Sequence, residues 1–472
     1  MSSSFRRTKI VATIGPASSS PAMIRQMILA GMDVARLNFS HGKYEDHARV
    51  VGNLRSISEE LNKPVTILQD LQGPKIRVGQ LPQGNIEMRK EEFVFLVPEA
   101  EFTGQPATIP LDYAYVAEEA KSGMQVLIAD GLFELEVVDV AGSAVRCKVI
   151  EGGILLSRKG VNFPNLNLRL PSLTEKDIRD LEFGLSQDID WISLSFVRNA
   201  NDIRELKKLL AQRGFQKPVI AKIEKPQAID HLEEIVEEVH GVMVARGDLG
   251  VEMNPEKVPM LQKRIIELCN RKGKPVITAT QMLESMINEP RPTRAEVSDV
   301  ANAIIDGTDC VMLSGETAMG KFPVKAIEMM VRIALDVEAK IDFKIYPPAI
   351  SSDIMALSQA ANSIGKIIDL KCIVVFTNSG RSAMFIAAER PKTPVYALTP
   401  RVEVYHGLNL LWGVKPIFVK DHPEEFDQVI SLAESTMRQH GLAGKNDKIL
   451  IVGGIPSNVH GGTNFMKIHS LN

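Results

Sequence analysis

The amino-acid sequence predicts an α/β protein: a (β/α)8 TIM barrel with an inserted small β-barrel domain and a C-terminal α/β domain. Three observations support this fold class. Short apolar runs alternate with helical patterns up to residue 73 and again from residue 172, which is typical of parallel strands covered by helices. Between these parts, short strand patterns are separated by turn residues and helical patterns nearly vanish. A Pro-containing break at residues 345–348 precedes a further alternation of strands and helices.

Eight apolar runs supply the predicted barrel strands. Each is followed by a helical pattern, except the third, which is followed by the insert. Ser20 before Pro21 predicts the start of the first helix, because serine caps helices and proline fits the first turn. Without the insert, these segments total roughly 250 residues, the usual size of a (β/α)8 barrel. The predicted strands are 9–14, 34–39, 65–68, 191–196, 219–221, 242–244, 274–280 and 310–314.

The changes of pattern divide the chain into three domains. We predict a catalytic barrel at 1–73 and 171–346, an inserted β lid domain at 74–170 and a C-terminal regulatory domain at 347–472. Predicted strands of the insert are 93–97, 125–128, 132–138 and 144–150, and those of the C-terminal domain are 371–377, 395–399, 416–419 and 448–452.

Composition excludes several classes of protein. The 472 residues are 44% hydrophobic with a formal net charge of −3, which lacks the basic excess of nucleic-acid-binding proteins. Four scattered cysteines without metal-ligand spacing indicate thiols in a reducing compartment: Cys147, Cys269, Cys310 and Cys372. No run has the length of a signal peptide core or a membrane span. We therefore expect a cytoplasmic protein that binds neither membrane nor nucleic acid.

The stretch 218–252 contains the most informative pattern. A strand runs into Lys222 and Glu224, and alternation along a strand places both side chains on one side. The next strand ends at the run RGDLG at 246–250, which contains Asp248 and two glycines. Two carboxylates and an ammonium at strand ends suit a divalent metal that holds an anionic substrate. The alternative is that Lys222 and Glu224 form an ion pair only, and that Asp248 caps a helix.

Polar and charged residues collect at the carboxyl ends of the predicted strands, where the chemistry of a (β/α)8 barrel is located. They are Arg36, Asn38, Ser40, His41, Asp70, Lys222, Glu224, Arg246, Asp248, Thr280, Ser314 and Glu316. Phosphoryl transfer depends on cations, and on metal ions held by hard oxygen ligands, to neutralise charge on the phosphoryl oxygens, and it needs no protein nucleophile. A hydrolase with Ser40 and His41 as partners is disfavoured, because adjacent residues of an extended segment point in opposite directions.

Five motifs make the chain resemble the pyruvate kinase family over nearly its whole length. They are RLNFSHG at 36–42, KIE at 222–224, MVARGDLGVE at 243–252, ITATQMLESM at 277–286 and MLSGETA at 312–318. The resemblance implies transfer of the phosphoryl group of phosphoenolpyruvate to ADP, giving pyruvate and ATP in the last step of glycolysis. It also implies a homotetramer.

The resemblance assigns roles to individual residues. Glu224 and Asp248 would hold Mg²⁺ or Mn²⁺, while Lys222 and Arg36 would contact the phosphoryl group. The substrate carboxylate would bind the backbone at Ala245, Arg246, Gly247 and Asp248. Enolate protonation would occur near Thr280, with Ser314 and Glu316 in a relay, although the donor stays open. Nucleotide contacts would come from Asn38, His41, Arg77 and Lys159. The alternatives are structural: an Arg36 ion pair, a core Thr280, a Glu316 at a helix start and a positioning His41.

The third strand end departs from the common pattern of the family. Where many members have Asp-Thr-Lys-Gly-Pro-Glu-Ile-Arg, this chain has DLQGPKIR at 70–77, so that Leu71 and Lys75 replace a hydroxyl and a carboxylate. In the family the Glu form requires a monovalent cation beside the equivalents of Asn38, Ser40 and Asp70. We expect the ammonium of Lys75 to replace K⁺, which would then not be required. The alternative is a solvated hinge lysine.

The C-terminal domain contains a candidate effector site. Hydroxyls and a glycine between a strand and a helix can cradle a phosphate; the residues are Thr377, Asn378, Ser379, Gly380, Arg381 and Ser382. By resemblance, the effector would be a sugar phosphate or AMP, and residues 453–462 would form a second loop nearby. A helix cap is the alternative. For the whole chain, the rival functions are a phosphoenolpyruvate or 2-oxoacid lyase on a similar barrel and a non-catalytic metabolite sensor.

Overall fold

The computed structural model describes residues 5–164, 166, 169–346, 352–420, 425–455 and 462–471. Eight parallel strands form a closed barrel in which each strand pairs with the next along the chain and the last pairs with the first. All eight strands and the predicted fold class are confirmed. The strands are β1 (Lys9–Ile14), β2 (Val34–Asn38), β3 (Thr66–Asp70), β4 (Trp191–Leu194), β5 (Val219–Ile223), β6 (Gly241–Ala245), β7 (Val276–Ala279) and β8 (Cys310–Leu313).

Alternation along these strands sorts the barrel interior into layers. An apolar layer contains Val11, Val34, Leu68, Ile220 and Met312, among others. Two residues further along the same strands stand Thr13, Arg36, Asp70, Lys222 and Ser314. Because side chains repeat every second residue in a strand, these polar groups face the same interior, one layer nearer the carboxyl end. The apolar layer thus becomes the floor of a polar rim.

Helices cover the outside of the barrel. The predicted helix start is confirmed, since the Ser20 side chain accepts a hydrogen bond from Met23 N and Pro21 is the first helical residue. Thr174 and Thr293 begin two other helices with capping boxes. The helices are Pro21–Ala30, Tyr44–Glu60, Glu175–Ser186, Ala200–Gln212, Pro226–Asp230, Leu232–Glu238, Arg246–Glu252, Val258–Lys272, Arg294–Asp306, Gly315–Ala318 and Pro323–Glu338.

The segment after β3 folds into a seven-stranded sheet with its own apolar core. A bridge between Val78 and Leu111 nearly closes this sheet into the small barrel that the sequence predicts. In sheet order the strands are Ile76–Arg77, Gly160–Asn162, Gln125–Ile128, Phe133–Ala141, Ala144–Glu151, Phe93–Pro98 and Thr108–Leu111, with Gly153–Leu156 and Asn85–Met88 as a separate pair. The short strands were missed because two to four residues give no alternation, and Pro110 hides the last of the seven, which lies at the sheet edge.

The C-terminal sheet has five strands in the order Val414–Phe418, Val395–Thr399, Cys372–Phe376, Lys448–Gly453 and Phe465–Ser470. The four predicted strands are present. Pro416 lies inside the first of them, which is tolerated because that strand is at an edge. The antiparallel fifth strand was missed, since its polar composition resembles a loop. Helices Asp353–Ile367, Arg381–Ala388, Val402–Gly407 and Phe426–Gln439 pack on this sheet.

The C-terminal domain closes the amino end of the barrel. The fully buried side chain of Leu410 packs among the apolar interior residues of the barrel strands. Around it, Trp191 Nε1 donates to the Gly407 carbonyl at 3.1 Å, and Lys9 Nζ donates to the Val414 carbonyl at 2.6 Å. The Cys310 thiol points at the Leu410 carbonyl at 3.3 Å. Among the residues that the structure describes, the carboxyl end of the barrel therefore offers the open interior surface to a ligand.

All four cysteines are unpaired and buried, as expected for thiols in a reducing compartment. Burial raises the pKa of Cys147 and of Cys372 to about 12, so neither is a ready nucleophile. Within the described ranges, no helix has the length and apolar character that crossing a membrane requires.

Candidate active site

Four charged side chains meet at the carboxyl rim of the barrel. Arg36 Nε, from β2, donates to Asp70 Oδ2 of β3 at 2.7 Å. Lys222 Nζ, from β5, lies 3.3 Å from Asp70 Oδ1 and 3.1 Å from Glu224 Oε1. All four residues are at least nine-tenths buried. The structure therefore brings together the predicted phosphoryl-contacting cations and one predicted metal ligand.

Neighbouring groups fix the orientation of this cluster. Ser193 Oγ donates to Asp70 Oδ1 at 2.7 Å, and Lys222 Nζ donates to Ser195 Oγ at 2.7 Å. Arg36 Nη1 donates to Thr13 Oγ1 at 2.9 Å. Sequence reasoning missed Thr13, Ser193 and Ser195, although the two serines alternate at the end of β4 and thus face the rim together. Hydrogen bonds of this kind hold the charged groups rigidly.

Electrostatics keep Asp70 and Lys222 ionised. Burial would raise the pKa of Asp70, but Lys222 and Arg36 outweigh it and leave that pKa below its usual value. Burial would lower the pKa of Lys222, but Asp70 and Glu224 outweigh it and leave that pKa raised. Lys222 is therefore a permanent cation at neutral pH.

Glu224 differs from Asp70 in that its charge is incompletely compensated. Burial, followed by the nearby charge of Asp248, raises the pKa of Glu224 in spite of Lys222. Its Oε2 accepts a hydrogen bond from Phe196 N at 2.6 Å. Its Oε1 is buried and lies 3.1 Å from the Lys222 ammonium, and apart from this ion pair it accepts no hydrogen bond from a described residue. A buried carboxylate oxygen with spare capacity, beside a second carboxylate, fits a divalent cation.

Asp248 is the third residue of the helix Arg246–Glu252, which begins directly after β6. Its Oδ1 accepts a hydrogen bond from Lys75 Nζ at 2.9 Å, and Asp130 of the insert lies 3.6 Å from the same ammonium. Burial would lower the pKa of Lys75, but the charges of Asp248, Asp130 and Glu224 outweigh it and raise that pKa. The positive charge that the sequence predicts near the third strand end thus lies against a candidate metal ligand.

The side chain of Arg246 contacts the backbone at the end of β7. Its guanidinium pairs with Asp299 at 2.7 Å and donates to the carbonyls of Ala279 and Thr280 at 3.2 and 2.8 Å. These contacts occupy the Arg246 side chain. Two of the other three residues predicted to bind the substrate carboxylate, Ala245 and Gly247, have no polar side chain. The role that sequence analysis assigns to this segment therefore falls on its backbone N–H groups.

Thr280 is held in an unusual conformation directly after β7. Its φ is +68° and that of Gln281 is +52°, a region that a β-branched residue rarely adopts. Thr280 Oγ1 accepts a hydrogen bond from Gly247 N at 2.7 Å and donates to the Ala279 carbonyl at 2.6 Å. Strain of this kind is concentrated at functional sites. The hydrogen bond from Gly247 N connects Thr280 to the backbone next to Asp248.

Ser314 and Glu316 follow β8. Glu316 is fully buried, and its two oxygens accept hydrogen bonds from Leu283 N at 3.0 Å and Ser314 N at 2.7 Å. This carboxylate therefore supports the backbone of two rim loops. Ser314 Oγ is buried without a hydrogen-bond partner in the described part of the chain, which leaves the hydroxyl available to a ligand or water.

The predicted nucleotide residues lie between the barrel and the insert. Asn38 Oδ1 accepts a hydrogen bond from Ser40 N at 3.1 Å. Partial burial, followed by the charges of Arg77 and Arg36, lowers the pKa of His41, so this imidazole is neutral at physiological pH. Arg77 donates to the Arg158 carbonyl at 3.2 Å, and the neighbouring Lys159 is exposed. The structure thus brings His41 and Arg77 together and leaves Lys159 facing solvent.

The candidate effector loop lies between the strand Cys372–Phe376 and the helix Arg381–Ala388. Gly380 has a φ of +83°, and its N–H donates to Thr377 Oγ1 at 2.9 Å. Ser382 Oγ lies 2.7 Å from Thr463 Oγ1, which belongs to the segment after the predicted second loop. Of that loop, residues 456–461 lie outside the described residues.

The barrel and its charged rim define the class of the protein, which is a phosphotransferase built on a (β/α)8 barrel. Residues 5–327 match the family model "Pyruvate kinase, barrel domain", and residues 355–469 match "Pyruvate kinase, alpha/beta domain". The chain belongs to the pyruvate kinase family. It is a pyruvate kinase by function: it transfers the phosphoryl group of phosphoenolpyruvate to ADP and gives pyruvate and ATP.

Individual relatives span nearly the whole chain. Pyruvate kinase 2 of Synechocystis sp. is 47% identical over 469 residues, which cover 98% of this chain and 79% of the relative. Pyruvate kinase of Staphylococcus aureus strain MRSA252 is 44% identical over 476 residues, with 98% and 80% covered. A crystal structure of a pyruvate kinase from Cryptosporidium parvum superposes with a TM-score of 0.92 at 35% identity and covers 99% of this chain and 96% of that one.

Proposed function

We propose that phosphoryl transfer in this protein is carried out by the rim cluster of Arg36, Lys222, Glu224 and Asp248. The observation that supports the proposal is the buried Lys222 ammonium between Asp70 and Glu224, whose Oε1 pairs with this ammonium and accepts no other hydrogen bond from the described residues. A desolvated cation fixed in place stabilises charge that develops on a transferring phosphoryl group and on an enolate, and it needs no reorganisation during the reaction. Arg36 supplies a second fixed cation, which pairs with the other oxygen of Asp70.

Glu224 and Asp248 are the proposed ligands of Mg²⁺ or Mn²⁺, and members of the family generally use Mg²⁺. When bound, the ion neutralises negative charge on substrate oxygens and polarises them. The residues of the chain fit it, because Glu224 Oε1 accepts no hydrogen bond from the described residues beyond its ion pair with Lys222, Glu224 directly follows β5 and Asp248 lies on a helix. Backbone N–H groups at the start of the helix Arg246–Glu252 orient the substrate carboxylate, and the Gly247 N–H, which donates to Thr280 Oγ1 in the structure, would have to leave that hydroxyl to take part.

Thr280 is proposed to lie where the enolate is protonated. Its hydroxyl is held by Gly247 N and the Ala279 carbonyl, so a proton leaving Oγ1 would have to be replaced. Ser314 Oγ and a water are the other candidate donors, and Glu316 supports the loop that carries Ser314. In the same proposal Asn38, His41, Arg77 and Lys159 contact the nucleotide, and the insert is a lid that excludes water from the transferring group.

A coupled assay with phosphoenolpyruvate and ADP tests the proposal. ATP and pyruvate are expected in equal amounts. A lyase would instead give a C–C cleavage product, and a metabolite sensor would give no product. Either result would overturn the assignment of the rim.

We expect activity to persist when a bulky organic cation replaces K⁺ as the monovalent ion, because the Lys75 ammonium supplies the charge. The Lys75→Met variant should then lose activity without K⁺ and recover part of it when K⁺ is added. Initial rates with tetramethylammonium chloride and with KCl provide the measurement. Lys148→Met, at a partly exposed lysine of the insert that pairs with Glu91, is the matched control. Wild-type activity that collapses in the organic cation and returns with K⁺ contradicts the hypothesis.

We also propose that residues 377–382 bind a phosphorylated effector, either a sugar phosphate or AMP. The support is the loop geometry at Gly380 and the hydroxyls of Thr377 and Ser382 at the start of a helix. An activating metabolite is expected to shift the phosphoenolpyruvate saturation curve to lower concentrations. Ser382→Asp should abolish the shift by charge repulsion, whereas Ser435→Asp, on an exposed helix face of the same domain, should not. A broad panel of sugar phosphates and nucleoside monophosphates that leaves the wild-type curve unchanged contradicts the prediction.

The remaining expectations are proposals of the same kind. The division at 73, 171 and 346 is supported by separate apolar cores in the barrel, the insert and the C-terminal sheet. The boundary at residue 347 lies outside the described residues. A homotetramer and a cytoplasmic location are proposed from membership of the family.

A further inference from the structure

We propose that Glu252 is a positioning residue that couples the lid to both candidate metal ligands, through Asn162 of the insert and Lys225 of the barrel. The proposal rests on the function proposed for the rim. Glu252 is the last residue of the helix Arg246–Glu252, and only 1% of its surface is exposed. Its Oε1 accepts hydrogen bonds from Asn162 Nδ2 at 2.6 Å and from the Lys225 ammonium. The contact therefore joins three segments that are distant in sequence.

The electrostatics of this triad make each member dependent on the others. A buried carboxylate without a partner is strongly destabilising, and Lys225 supplies the opposite charge that Glu252 requires. The neutral amide of Asn162 adds a hydrogen bond without changing the net charge. Asn162 is itself 3% exposed, and its Oδ1 finds no hydrogen-bond partner among the described residues. The donor group of Asn162, and not its acceptor, thus fixes this end of the insert.

One branch of the coupling leads to Asp248. Asp248 and Glu252 lie four residues apart on one helix, so both side chains share a face one turn apart. A group that holds Glu252 therefore sets the rotation of the helix that carries Asp248. On the other side, a Cβ at Gly160 would come within 2.7 Å of Lys75 Cε. The strand Gly160–Asn162 thus contacts the Asp248 helix through Asn162 and the lysine bound to Asp248 through Gly160.

The second branch leads to Glu224. The Lys225 ammonium lies 5.7 Å from the centre of the Phe196 ring, within the range of a cation–π contact. Phe196 has a φ of +56°, and its backbone N–H donates to Glu224 Oε2. Lys225 also follows Glu224 directly in the chain. Anchoring Lys225 on Glu252 therefore restrains the loop that orients Glu224.

This arrangement gives Glu252 a role that differs from that of a metal ligand or a simple structural ion pair. When the insert is docked as observed, Asn162 completes the hydrogen bonding of Glu252, and both candidate ligands are held. When the insert rotates away, Glu252 keeps Lys225 and loses Asn162. The position of the lid and the order of the metal ligands are then linked, and nucleotide binding under the lid should strengthen metal binding.

The variants Asn162→Ala and Glu252→Gln test the coupling. We expect the Kd for Mn²⁺, measured by electron paramagnetic resonance without substrates, to rise about tenfold in each, which is the size of effect that supporting residues of metal sites have. The KM for ADP should rise in both, and the double variant should show less than the product of the single effects. Asn254→Ala is the matched control, because Asn254 donates to Glu256 in an exposed pair nearby.

Thermal unfolding of each variant separates coupling from damage to the fold. If Glu252→Gln does not fold, Asn162→Ala still carries the test, because it removes no charge. A lower Tm with unchanged Mn²⁺ affinity and unchanged KM for ADP would overturn the coupling and leave a purely structural triad. If the wild-type protein makes no ATP from phosphoenolpyruvate and ADP, the proposed function of the rim fails instead, whatever the variants show.

Discussion

Replacing Lys222 by methionine is expected to lower kcat by about 10²–10³-fold or more, with the protein still folded. This is the effect of deleting one preorganised group that stabilises developing charge. Lys222 is the only buried ammonium that the described residues place between Asp70 and Glu224. Methionine preserves the length of the side chain and removes the charge. Steady-state kinetics at saturating Mg²⁺, phosphoenolpyruvate and ADP give the measurement.

The matched control for this substitution is Lys274→Met. Lys274 precedes β7 at the opposite end of the barrel, and its Nζ donates to the Val239 carbonyl at 2.6 Å. The same chemical change there should leave kcat close to the wild-type value. Equal losses in the two variants would show that any partly buried lysine is needed for folding, and the proposed role of Lys222 would then be wrong.

The second large effect is expected from Asp248→Asn. Loss of one of the two proposed carboxylate ligands should raise the Mg²⁺ concentration needed for half-maximal activity by more than the 10–100-fold that loss of a supporting residue costs. Activity in excess Mn²⁺ should be recovered only in part. A titration of initial rate against free Mg²⁺ measures the change.

Asp130→Asn is the control for Asp248→Asn, since both carboxylates lie within reach of the Lys75 ammonium. Asp130 is three-quarters exposed and belongs to the insert. If Asp130→Asn changes the Mg²⁺ requirement as much as Asp248→Asn does, the effect arises from the loss of a negative charge beside the Lys75 ammonium. Asp248 would then not be a metal ligand.

The barrel and most of its rim could be predicted because each depends on local pattern. An apolar run such as 219–221 specifies a buried strand, and parallel strands place their carboxyl ends at one edge. The sequence alone therefore predicts that Lys222, Glu224 and Asp248 lie close together. Arg36 and Asp70 were expected at the same edge, and the structure shows them as a direct ion pair.

The parts that could not be predicted depend on side-chain direction and on contacts between distant segments. The sequence places Arg246 and Glu316 at strand ends, yet Arg246 turns outward to Asp299 and Glu316 accepts from backbone N–H groups. The contact of Asn162 with Glu252 joins residues 90 positions apart. No periodicity encodes a contact of this kind, since it depends on how the insert docks against the barrel.

Leu410 has a consequence for how the molecule comes apart. The apolar layer of the barrel is not sealed by barrel residues alone, because the C-terminal domain contributes Leu410 to it at the amino end. Separation of the barrel from the C-terminal domain would expose this apolar interior to water. It would also leave the Trp191 indole N–H and the Lys9 ammonium without their hydrogen-bond acceptors. The two domains should therefore unfold together, and removal of residues 347–472 should leave an aggregation-prone, incomplete barrel without activity.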